Sequence, residues 1–131
     1  MKTVAEPLLL ILHIGYGWLG IGAGLLGASI LFAAIPESAG IHAMTVGAGG
    51  TMILGVMTRA TRGHTGRILS ADRITVIVYG LISIAALARI SAEISVGAMM
   101  PLIEVSACFW IAAFLLFVGA YGRALLGPRI G

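Results

Sequence analysis

The sequence predicts an all-α integral membrane protein, an up-down bundle of four helices, and three observations carry that prediction. Sixty per cent of the 131 residues are hydrophobic and only 10% are charged, whereas a soluble domain carries about 25% charged residues to coat its surface. Four apolar stretches, 7–35, 41–57, 74–90 and 97–126, approach or exceed the roughly 20 residues that a helix rising 1.5 Å per residue needs to cross the hydrocarbon core. The charges then alternate between the connecting loops as the topology of a membrane hairpin pair requires. No soluble domain or linker interrupts the single membrane domain spanning residues 1–131.

The first stretch follows Lys2 and begins at Pro7. Its apolar run is longer than a secretory signal h-region, and His13 and repeated glycines break it, so it is expected to be a true span. Pro36-Glu-Ser-Ala-Gly40 closes the first hairpin with helix-breaking residues. The second stretch runs from Ile41 into a polar tail containing Arg59, Arg62, His64 and Arg67, and the chain turns between Gly63 and Ala71. Ser70 or Asp72 is available to cap the third helix. A turn at Ser95 to Pro101 leads to the fourth, where Pro101 suits a first helical turn.

Net charge is +3, but the positive residues do not cluster as a phosphate-binding patch would, so no nucleic-acid partner is expected. Lys2, Arg59, Arg62, Arg67, Arg73, Arg123 and Arg129 all fall on one side of the bundle, while the opposite loops carry Glu37 and Glu93. The positive-inside rule assigns the basic side, and with it both termini, to the cytoplasm. The single Cys108 has no internal partner and reads as a small apolar residue of the fourth span.

Glycines and histidines carry the chemistry. On the first helix His13, Gly17, Gly20, Gly24 and Ala28 share one face, and on the second Ala43, Gly47, Thr51 and Gly55 recur every four residues. Such faces let helices approach closely in lipid. A histidine on a glycine face is also compatible with a flat porphyrin, because the glycines leave room against the helix. Depth sorts the three histidines. His13 lies about 9 Å from the start of its helix, and His64 follows His42 by roughly 33 Å of helix, which puts His13 and His64 in the cytoplasmic half and His42 at the outer face. A haem b held by His13 and His64, with its propionates on Arg59, Arg62 or Arg67, is one candidate site. His64 as a plain loop residue is the structural alternative.

At the outer side His42, Met44, Met99, Met100, Glu93 and Glu104 form a mixed imidazole, thioether and carboxylate set of the kind copper accepts, although methionines in apolar helices are usually packing residues. Arg89 and Glu93, four residues apart, read as an interfacial ion pair; alternatively Arg89 holds an anionic group such as a propionate near His42. Glu104 is a carboxylate within a span, where ionisable groups tend to be functional.

Leu12-His-Ile-Gly-Tyr-Gly-Trp-Leu19, the run from His42-Ala-Met-Thr-Val-Gly-Ala48 into Met57-Thr-Arg-Ala-Thr-Arg-Gly-His-Thr-Gly-Arg67, and the end from Tyr121 to Arg129 together resemble the NnrS family. The resemblance covers essentially the whole chain and is weakest in helices three and four. It implies a polytopic protein of the bacterial inner membrane that contains haem and copper and acts in the nitric oxide response, with nitric oxide as a small gaseous ligand. It makes His13, His42, His64, Arg59, Arg67 and Arg89 candidate cofactor positions. Family members have more spans, so the chain corresponds to their C-terminal part, and its Pro128-Arg-Ile-Gly131 lacks the acidic residue of the family's ending. A homo-oligomer would replace the absent helices by symmetry.

The expectation is therefore a haem-binding membrane protein, with copper as a second candidate cofactor, that handles nitric oxide or nearby electron transfer. A small transporter lined by Glu104 and Arg89, and a structural subunit of a larger membrane assembly, are the alternatives from other classes. No nucleophilic triad, phosphate-binding loop or cysteine-rich zinc motif supports hydrolytic or nucleotide chemistry.

Overall fold

In the computed structural model, which describes residues 7–69 and 72–128, every long element is helical. Helix α1 is Pro7–Leu31, α2 is Glu37–His42, α3 is Gly50–His64, α4 is Arg73–Ile94 and α5 is Met99–Leu126. A π-helical segment, Ala43–Gly49, joins α2 to α3 without a break, and a 3-10 turn, Val96–Ala98, precedes α5. Four helices, Pro7–Leu31, Glu37–His64, Arg73–Ile94 and Val96–Leu126, are long and apolar enough to cross a membrane. Lys2, Ser70 and Arg129 lie outside the described residues.

The helix ends have local causes. The first helix stops at Leu31, before the expected limit at Ile35: Phe32 N still bonds the Ala28 carbonyl, and Ile35 N then closes a turn on the Phe32 carbonyl ahead of Pro36, next to which Ile35 avoids the helical region. The second span starts at Glu37 with Pro36 at its N-cap and continues past Met57 to His64, since Thr58 to Arg62 are polar but not helix-breaking. Gly66, at φ 74°, then takes the left-handed conformation that turns the chain. Asp72 caps α4, accepting from Thr75 N at 2.9 Å and Thr75 Oγ1 at 2.7 Å.

The second span lies between α1 on one side and the α4–α5 hairpin on the other. Its register with α1 can be read from close approaches. A Cβ on Gly55 would meet Ile11, one on Gly15 would meet Met52 and Thr51, one on Gly47 would strike the Trp18 ring, and one on Gly22 would reach Met44 and the Gly40 carbonyl. Small residues thus bring the two helices together over their length, as expected where lipid supplies no hydrophobic drive between helices.

Packing forms two clusters. Toward the basic end, Leu8, Ile11, Leu54, Val78, Ile82, Ala113, Phe117 and the two buried tyrosines Tyr79 and Tyr121 interlock. Toward the other end Trp18 sits among Ala39, Ala43, Ala48, Ala86 and Ile90. Large apolar side chains such as Ile30, Leu115, Val118 and Leu126 point outward, the surface that a bilayer rather than water accommodates.

Candidate functional site

Two polar groups close the two ends of this bundle, and a third feature lies on its outer surface. At the end away from the loop arginines, α2 and α4 face each other through Ser38, His42, Arg89 and Glu93. The Ser38 hydroxyl donates to Glu93 Oε2 at 2.5 Å, Arg89 Nη1 lies 2.6 Å from Glu93 Oε1, and Arg89 Nη2 donates to His42 Nε2 at 2.8 Å. A guanidinium has only donors, so His42 must offer the lone pair of Nε2 and carry its proton on Nδ1. Glu93 Oε1 lies 3.4 Å from the same Nε2. Arg89 Nη1 is buried and lacks an aligned acceptor, so its approach to Glu93 is an ion pair by distance rather than a directed hydrogen bond.

The π segment begins directly after His42. Such wide turns inside α-helices are rare and occur often at functional sites. Beyond Arg89, on the lipid side, Val46, Ile103, Ser106, Ala107, Trp110 and Ile111 line an open pocket of about 410 Å³ with Arg89 in its wall. The Ser106 hydroxyl donates to the Ala85 carbonyl at 2.7 Å, fixing α5 against α4 beside it.

The basic end is organised differently. Arg62 donates through Nε to Tyr121 Oη at 3.1 Å and through Nη1 to the Ile68 carbonyl at 3.2 Å, and its Nη2 pairs with Asp72 Oδ2 at 3.1 Å. Its guanidinium also stands 5.5 Å from the centre of the Tyr121 ring, and Tyr121 Oη meets Thr75 Oγ1 at 2.5 Å. Burial would raise the Asp72 carboxyl, but the two Thr75 hydrogen bonds and Arg62 outweigh it and hold the group below the ordinary carboxylate value. Arg62 is thereby committed to closing the loop between α3 and α4. Arg59 is half-buried, and Arg67 and His64 are exposed.

The third feature is the outer face of α1. His13 Nδ1 lies 2.8 Å from the Leu9 carbonyl; since a carbonyl only accepts, Nδ1 carries the proton and Nε2 keeps its lone pair. At 100° per residue, His13, Gly17, Gly20 and Gly24 occupy one sector of about 60°, opposite the buried Ile11, Gly15, Trp18 and Gly22. A Cβ on Gly17, Gly20 or Gly24 would meet nothing within 4 Å. The face points away from the bundle, and only Ala28 at its far end is partly buried.

The structure therefore groups the sequence candidates in an order the sequence alone did not give. With Ile11 opposite Gly55 and Gly15 opposite Thr51, His13 stands level with Ile53, so His64 lies about 16 Å further along the axis and Arg59 about 9 Å. His13 and His64 are not brought together. His42, Arg89 and Glu93 are. Of the mixed outer set, Met44 packs toward Gly22, Met99, Met100 and Glu104 are exposed, and no three His, Cys, Asp or Glu side chains converge among the described residues. Cys108 is exposed on α5. Ser38 was the residue sequence reasoning missed at the cluster; its position one turn before His42 was the available signal.

Fold and site together define a polytopic helical membrane protein with a half-buried polar cluster at one end and a histidine presented on an open glycine face. The chain belongs to the family described as NnrS protein, which it matches over residues 1–129. No protein of curated function and no solved structure matches it.

Proposed function

We propose that this chain is a haem-binding protein of the bacterial inner membrane that acts in the nitric oxide response, with His13 as the residue that would hold the iron. The family association with haem and copper supplies the context, and one observation carries the reading. His13 has its Nδ1–H fixed on a backbone carbonyl and its Nε2 lone pair bare, above three glycines that leave the helix surface empty. A metal-ligating histidine is usually held in this way, by a hydrogen bond from its other ring nitrogen.

The residues present fit such a group at His13 better than at His42. The Nε2 lone pair of His42 is taken by Arg89, so ligation there would have to break the cluster. Gly17 and Gly20, one and two turns on, leave open the helix surface that such a group would need. Haem, when bound, supplies an iron that takes a diatomic ligand such as nitric oxide or passes an electron. The chain's own part is to fix the imidazole tautomer, to leave the slot open and, at its basic end, to present Arg59 and Arg67 toward the cytoplasmic surface. Among the described residues copper finds no comparable preparation.

Because the glycine face points outward, a second copy of the chain is the proposed cover, in a symmetric pair with the basic end and both termini in the cytoplasm. The test is the optical spectrum of protein purified after growth with ample haem. A Soret band should vanish in His13→Gly and return when imidazole is added, whereas His64→Ala and His42→Ala should keep it. A band unchanged in His13→Gly would overturn the reading.

A further inference from the structure

The cavity beside Arg89 is used by neither the haem slot nor the loop lock, and its chemistry is specific enough to name an occupant. We infer that it binds the head group of an isoprenoid quinone, a neutral, flat, lipid-soluble dicarbonyl. The argument begins with charge. Arg89 is neutralised in place by Glu93 at 2.6 Å, and His42 accepts from it as a neutral imidazole. The wall that holds Arg89 therefore carries no net positive charge, which suits a carbonyl oxygen better than a phosphate or carboxylate.

Shape and depth agree. The cavity of about 410 Å³ falls within the range of small-molecule pockets, roughly 300–1,000 Å³. Trp110 forms one side and stacks obliquely on Phe114 with ring centres 4.4 Å apart, giving a flat aromatic ledge. Its indole Nε1 points toward the second span, 3.9 Å from where a Cβ on Gly50 would stand. Val46, Ile103, Ala107 and Ile111 complete an apolar lining that is open to the lipid, as a prenyl tail requires. Arg89 stands five residues before the end of α4 at Ile94, about 8 Å below the helix end. That depth lets a quinone ring lie beside Arg89 while its tail stays in hydrocarbon.

The experiment titrates decylubiquinone into the purified protein in phosphatidylcholine nanodiscs and follows tryptophan fluorescence. Saturable quenching is expected, with its midpoint raised about tenfold or more in Ala107→Phe, which fills the cavity from an exposed position and leaves the core alone. The 1,4-dimethoxy analogue, which lacks the two carbonyls, should bind about tenfold more weakly, the loss expected for hydrogen bonds to a charged donor. Equal binding of that analogue, or competition by added phospholipid with the same midpoint, would mean the groove takes acyl chains and would overturn the proposal. So would a midpoint unchanged in Ala107→Phe. None of these readouts depends on haem, so this inference and the haem reading fail separately.

Discussion

Helix α1 uses the same residue on its two faces for opposite ends. Gly15 and Gly22 look inward, where a Cβ on Gly22 would lie 2.5 Å from Met44 Cγ and 3.1 Å from the Gly40 carbonyl oxygen. Gly17, Gly20 and Gly24 look outward onto nothing within 4 Å. The inward glycines are explained by the bundle itself, because their missing side chains are what lets α1 approach the second span. Nothing within the described bundle occupies the space beside the outward ones. Their neighbour on that face is His13, with its free ring nitrogen turned away from the fold, and this contrast directs attention to what lies beside α1 rather than within it.

One substitution made on both faces gives the largest expected difference. Gly22→Val places methyl groups against the Gly40 carbonyl and the Met44 backbone, which cannot swing aside as a side chain can. A loss of about 3 kcal/mol is expected from overpacking, read as a lower thermal midpoint in detergent by circular dichroism. Gly20→Val meets open space and should leave that midpoint within about 0.5 kcal/mol of the wild type, yet remove the Soret band. Should Gly20→Val retain the full band, the outward face is a lipid surface and the comparison loses its functional half.

A smaller effect is expected at Gly15. There the nearest obstacle to a Cβ is Met52 Cγ at 2.6 Å, part of a flexible thioether chain. Gly15→Ala should therefore cost only about 1 kcal/mol, because methionine repacks readily. A cost equal to that of Gly22→Val would show that closeness of the helices, rather than the identity of the obstacle, sets the penalty.

Much of this bundle was legible in the sequence, because apolar length and loop charge are local properties. The four spans, the basic end and Asp72 as a cap candidate all follow from residues near one another. The pairing of Ser38 with Glu93 joins residues 55 apart, and the π segment has no residue pattern of its own. The separation of His13 from His64 was hidden for a related reason. Depth along each helix from its own end ignores the offset between helices, and α3 overhangs the start of α1 by more than a turn. Only the packing register, set by Gly15, Gly47 and Gly55 against their partners, puts the two helices on one scale. Arg62 likewise looked free for an anionic ligand until the fold brought Tyr121 and Asp72 to it.

The smallest effect belongs to the loop lock, which touches neither face of α1 and so sets the floor for the comparison. Asp72 is held below the ordinary carboxylate value in the folded chain, so its ionised form stabilises the fold above the unfolded value, about pH 4, and that contribution disappears as pH falls through the lower folded value. The side chain is 55% exposed, so solvent screening limits the charge's contribution to under about 1 kcal/mol. Asp72→Asn keeps a good helix cap while removing the charge that faces Arg62. The variant should therefore melt slightly below the wild type at pH 7 and together with it well below pH 4. If the difference persists in acid, the role of Asp72 lies in the geometry of its bonds to Thr75 rather than in its charge, and Arg62 is held in place by Tyr121 and the Ile68 carbonyl alone.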